Sequence, residues 1–135
     1  MDMEWKLEVV VVPVSDVERA KQFYSQQVGF QVDVDRQVNP RVRVVQLTPP
    51  GSACSIATGT GLSEGEPGSL KGVQLVVADI QAARAALVER GVEVSPVRHV
   101  GPSGDWEDGP GDAWNSFIFF GDPDGNTWTV QERPQ

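Results

Sequence analysis

The sequence holds one histidine and one cysteine. A lone cysteine, Cys54, excludes an internal disulfide and cannot anchor a cysteine metal cluster, so its expected role is packing. A lone histidine, His99, excludes an iron centre built from two histidines and a carboxylate within one protomer. Basic residues are also scarce: 11 Lys and Arg against 19 Asp and Glu leave a formal charge of -8. Such a surface repels phosphate backbones and anionic headgroups, which argues against nucleic acid and membrane partners, and it attracts cations. No apolar run approaches the roughly 18 residues that a membrane span needs. The opening MDMEWKLEVVVVPVSD places acids before its apolar stretch and has no basic leader region, so a cytoplasmic location is expected.

What is present is one pattern written twice. At 135 residues the chain suits a single domain, 1–135, with a sizeable core. Val9 to Val14 is a β-branched run fit for a buried strand. Ser15-Asp16-Val17-Glu18 has the form of a capping box, and Val17, Ala20, Phe23, Tyr24 and Val28 follow at helical spacing up to Gly29. Extended pieces are read at 30–34, 42–48 and 53–58, the last two separated by Pro49-Pro50-Gly51. A Gly-rich linker, 59–70, ends the first unit. Then Gly72 to Val77 reads as a strand, Asp79 as the cap of a helix with Ile80, Ala83, Ala86 and Leu87 on its buried stripe, and Gly91 as the stop. Pro50-Gly51 and Asp122-Pro123-Asp124-Gly125-Asn126 each introduce a closing strand. The order predicts an α+β fold of two tandem β-α-β-β-β modules, 1–58 and 71–135.

Three segments, PVSDVERAKQFY with VGF, VVADIQAARAALVERGV and DPDGNTWTVQE, together span most of the chain. On these residues the chain resembles the vicinal oxygen chelate superfamily, which includes glyoxalases, bleomycin-resistance proteins and extradiol dioxygenases. The resemblance implies a cupped eight-stranded mixed sheet with helices on its outer face, a ligand cavity inside, and a homodimer. Metal-using members draw His or Glu ligands from the opening and closing strands of both modules. Carried over by distance from each capping Asp and each turn Gly, those positions fall on Val9, Gly72, Ser55 and Thr129. None is an imidazole, thiolate or carboxylate, so no metal and no other cofactor is expected.

Alternation along the strands sets Leu7 and Val11 on the face of Val9, Gln74 and Val76 on that of Gly72, and Thr127 and Gln131 on that of Thr129. The wall is mildly polar and lacks a group that titrates near neutrality, which suits a bulky apolar ligand oriented by a few hydrogen bonds. Trp128, on the opposite face, is expected in the core with Ile56 and Cys54. Residues 98–116, RHVGPSGDWEDGPGDAWNS, are too rich in Gly and Pro to continue a strand and read as a lip loop. Trp106 and Trp114, amid Asp105, Glu107, Asp108 and Asp112, would stack on and attract a planar or cationic molecule. The ligand-binding set is thus Val9, Ser55, Gln74, Trp106, Trp114, Thr129 and Gln131. The expected function is metal-independent binding and sequestration of an antibiotic-like compound. The alternative is a metal-free lyase or isomerase with His99 as its proton shuttle. Whether Phe117 and Phe119 face the cavity is open at this level.

Overall fold

The computed structural model describes residues 3–135; Met1 and Asp2, part of the opening stretch weighed against a leader, lie outside the described residues. The chain divides into two compact units, Met1–Ser69 and Leu70–Gln135. The α+β class and the repeated element order hold, and hydrogen bonding groups the strands into a four-stranded and a five-stranded sheet.

In unit one, β1 (Val9–Val11), β2 (Gln31–Asn39), β3 (Val42–Thr48) and β4 (Ser55–Thr60) pair in the order β1-β4-β3-β2. The edge strand β1 runs parallel to β4, with Val9 opposite Ser55. It stops three residues short of the expected Val14. Helix α1 (Val17–Gln22) is capped by Asp16 rather than Ser15: Asp16 is extended and its carboxylate accepts from the Arg19 amide at 3.1 Å. The helix continues as a π-helical turn, Phe23–Val28, and ends at Gly29 with φ 95°, a backbone that favours glycine. Its buried side carries Tyr24, which stacks on Phe30 at 5.9 Å. Strand β2 runs five residues beyond the expected 34, and its pairing with β3 shifts between Val32 and Val34, a bulge that absorbs Asp33. Val45, Leu47 and Ile56 form the core side of this sheet, whereas Cys54, expected there, is only half-buried just outside β4.

Unit two repeats the plan with one addition. Strands β5 (Val73–Val77), β6 (Arg98–Val100), β7 (Trp106–Asp108), β8 (Phe117–Gly121) and β9 (Thr127–Glu132) take the order β5-β9-β8-β6-β7, again with a parallel edge pair. Helix α2 (Ile80–Glu89) is capped by Asp79, which accepts from the Ala82 amide, and it buries Ile80 and Leu87. The expected lip loop is in part a hairpin: β6 and β7 pair antiparallel, Arg98 to Asp108 and Val100 to Trp106. Glu107 folds its carboxylate over Gly101, into the space that a β-carbon there would take. Trp128, Val130, Ile118 and Phe120 are buried on the core side, as alternation requires.

Candidate functional site

In unit two the candidate site residues lie on the less buried side of the sheet, whereas in unit one β4 is buried on both sides from Ser55 to Thr58. In unit two the DPDGN turn fixes what the site residues stand beside. Within it Asp122 accepts from the amides of Asp124 and Asn126, both at 2.9 Å, and from the Asn126 side chain at 2.8 Å. This closed turn pairs Gly121 with Thr127, hence Phe119 with Thr129 and Phe117 with Gln131. Directly opposed residues share a face, so Phe117 and Phe119 lie on the open side. Parallel pairing adds Gln74 beside Thr129 and Val76 beside Gln131.

The hairpin completes this surface. Arg98 pairs with Phe117, so Val100 and its partner Trp106 share the same side. The Trp106 ring meets Phe117 edge-on at 5.3 Å and Phe119 edge-on at 5.2 Å, while the two Phe rings lie nearly parallel at 6.4 Å. Trp106 remains 50% exposed, which leaves aromatic surface available above a sheet already supplied with Thr129 and Gln131. Gln131 is oriented from both ends: its carbonyl accepts from Gln74 and its amide donates to the Trp114 main-chain carbonyl at 2.7 Å. Trp114 is the one residue other than glycine with positive φ, 63°, among the described residues, and its ring is half exposed. A bulky residue in that region carries backbone strain, a feature that concentrates at functional sites.

His99 is placed elsewhere. It alternates with Arg98 and Val100, so its ring turns to the opposite side of the hairpin from Trp106. Its Nδ1 donates to the Gly109 carbonyl at 2.8 Å, since a carbonyl only accepts, and its Nε2 faces Glu107 Oε1 at 3.6 Å. It lines an open cleft of about 520 Å³ with Gly101, Pro102, Pro110, Asp112 and Asn115. Asn115 holds this cleft in shape by bonding both main-chain groups of Val100, at 2.8 and 2.9 Å. None of the seven expected ligand-binding residues lines it.

In unit one Ser55 lies opposite Val9 and is nearly buried at 7% exposure, whereas Val9 keeps 38%. Its hydroxyl is 2.6 Å from that of Thr48, which in turn donates to the Asp33 carboxylate. Neither Thr48 nor Asp33 was singled out in sequence, because the bulge that aims Asp33 leaves no local signature. Strand pairing also sets Gln74, not Gly72, across from Thr129, just as Val9 stands across from Ser55. The path from β5 to its helix cap is shorter than that from β1, so counting back from the cap overshoots. Gln74 is no better a metal ligand. Among the described residues no cluster of three or more His, Cys, Asp or Glu is placed to hold a metal ion, and the hydroxyl and amide donors at these positions do not suit one.

The sequence model of the Glyoxalase/Bleomycin resistance protein/Dioxygenase superfamily matches residues 6–130. TnmS3, an antibiotic binding protein from Streptomyces sp. CB03234, is similar over 99% of this chain and 100% of its own, at 31% identity and a TM-score of 0.79. A glyoxalase/bleomycin resistance protein from the same organism is 35% identical, covering 93% of this chain and 99% of that one, with a TM-score of 0.72. The uncharacterized protein YetH of Bacillus subtilis (strain 168) is 25% identical over 124 residues, 91% of this chain and 94% of that protein.

Proposed function

The chain belongs to the glyoxalase/bleomycin resistance protein/dioxygenase superfamily, and from that premise we propose that it binds and sequesters a bulky aromatic or cationic, antibiotic-like small molecule without a metal. The observation that carries this reading is the open side of the unit-two sheet. There Trp106, Phe117 and Phe119 form an aromatic surface beside the hydroxyl of Thr129 and the fixed amide of Gln131. Flat rings with a few oriented polar groups suit a planar ligand that needs no bond broken. Trp114 and Gln74 act at the margin of this surface, and Val9 and Ser55 are a separate, smaller candidate contact within unit one. The similarity to TnmS3, an antibiotic binding protein, supports the same reading.

The metal-free enzyme reading draws less support, because the one imidazole, His99, turns to the other side of its hairpin from the aromatic surface. The charge of -8 weighs against nucleic acid and anionic membrane partners, and no helix among the described residues is long and apolar enough to cross a membrane. A homodimer fits the family and the exposed apolar stripe Met3, Trp5 and Leu7, at 70, 86 and 75% exposure beside the edge strand β1. Sedimentation as a strict monomer at tens of micromolar would remove that part of the proposal. The function is tested by a thermal-shift screen against aromatic antibiotics, in which a compound bound only by the native state raises the melting temperature by mass action. If no aromatic compound shifts the melt while non-aromatic ones do, the aromatic surface is not the binding element.

A further inference from the structure

We propose that Ser55, which keeps 7% exposure, is locked as a hydrogen-bond acceptor, so that unit one reads a hydrogen-bond donor on a ligand, a phenolic hydroxyl or an ammonium group. This rests on the binding function proposed above and adds the polarity of the group that is recognised. A carboxylate only accepts, so Thr48 gives its single hydroxyl proton to Asp33. The oxygens of Thr48 and Ser55 are 2.6 Å apart, and with the Thr48 proton spent, the bond between them uses the Ser55 proton. Ser55 is left with lone pairs and no proton to offer. The Asp33 charge at the far end polarises the chain toward Ser55, which makes its oxygen the stronger acceptor.

The surroundings fit such a role. Val9 and Val11, opposite Ser55 and Ala57 on the edge strand, are 38 and 36% exposed and provide an apolar bed beside the Ser55 oxygen. A ligand ether or carboxylate brought to Ser55 would meet lone pairs with lone pairs and lose its water without a replacement bond. A phenol or an ammonium would complete the chain. The protein's net charge of -8 favours the ammonium further, at long range and in low salt.

The test uses four probes of one aromatic body, titrated into the full-length protein by NMR: 2-naphthol, (2-naphthyl)methylammonium, 2-methoxynaphthalene and 2-naphthoate. Wild type is expected to bind the two donors about tenfold tighter than the methoxy compound, the yield of one good hydrogen bond, with the carboxylate weakest. Thr48→Val returns the Ser55 proton, and Asp33→Ala lets Thr48 donate to Ser55, so either change should collapse the naphthol preference to within about threefold. Asp33 is exposed, so that variant keeps the test open if Thr48→Val does not fold. Equal affinity for naphthol and its methyl ether, or a preference that survives in both variants, overturns the inference while leaving the binding function standing. A preference confined to the ammonium and abolished by about 1 M salt also overturns it, since that is the protein's field and not the hydroxyl chain. If no probe binds at all, the binding function fails and this inference with it.

Discussion

Truncating Trp106 to alanine should loosen the β6-β7 hairpin before it affects the rest of unit two. The Trp106 ring makes two edge-on contacts, with Phe117 and Phe119. At about 0.5–1.5 kcal/mol each, these come to about 1–3 kcal/mol. Half of the residue is covered, and for an aromatic surface of roughly 200 Å² that is about 100 Å², or about 2.5 kcal/mol as an upper bound at 25 cal/mol per Å². Because the two sums overlap, the loss should be about 2–4 kcal/mol, placed in the hairpin where the contacts are. Hydrogen exchange can localise it. Gly101 and Gly109, whose amides bond to Asp105 and Val97, should lose protection by roughly 30-fold or more, one decade per 1.4 kcal/mol, while Val130 in the interior strand β9 changes less. A change under about 0.5 kcal/mol at the hairpin amides would refute the claim that the aromatic cluster holds this segment against the sheet.

Three other outcomes are expected. Hydrogen bonds from Arg43 and then Lys21 hold the Asp35 carboxyl well below the usual carboxylate range; a depressed folded-state pKa contributes stability that is complete above that range and is lost as pH falls below about 4. The melting temperature of Asp35→Asn should therefore lie below that of wild type at pH 7 and converge on it toward pH 2, and a gap independent of pH would contradict the linkage. The hydroxyl of Thr58 is buried with no hydrogen-bond partner, so Thr58→Val should raise stability by about 1 kcal/mol in a urea titration; a clear loss would mean that the hydroxyl is satisfied. Elemental analysis of the purified protein should find no stoichiometric zinc, iron, manganese or nickel, and one equivalent retained after chelation would show that Val9, Ser55, Gln74 and Thr129 are not the metal-equivalent positions.

Most of the fold was legible because its signals are local. Asp16 and Asp79 cap helices through bonds to amides three residues on, Gly29 and Gly91 end them at positive φ, and the alternation of β9 buries Trp128 without reference to any other strand. What was not legible depends on pairing between strands. The side taken by Phe117 and Phe119 follows from the register of β8 with β9, which a closed five-residue turn at Asp122 to Asn126 would have disclosed by counting outward. The β6-β7 hairpin was hidden because its strands are three residues each, set among glycines that serve its turn and its exit, Gly104 at φ 91° and Gly109 at φ 95°. Asp33 and Thr48 escaped notice for a related reason, since a bulge in β2 brings them together and nothing in QVDVD announces it.

The central claim, that the aromatic side of unit two binds a ligand and returns it unchanged, is tested most directly by one titration with product recovery. A planar aromatic antibiotic that shifts the melt is titrated against tryptophan fluorescence in wild type, Trp106→Ala and Trp114→Ala, and the ligand is then released and weighed by mass spectrometry. An intact ligand is expected, with a loss of about 1–3 kcal/mol in affinity, roughly 5- to 150-fold, for Trp106→Ala. Unchanged affinity in both variants, or a chemically altered ligand whose alteration stops in His99→Ala, would contradict that claim.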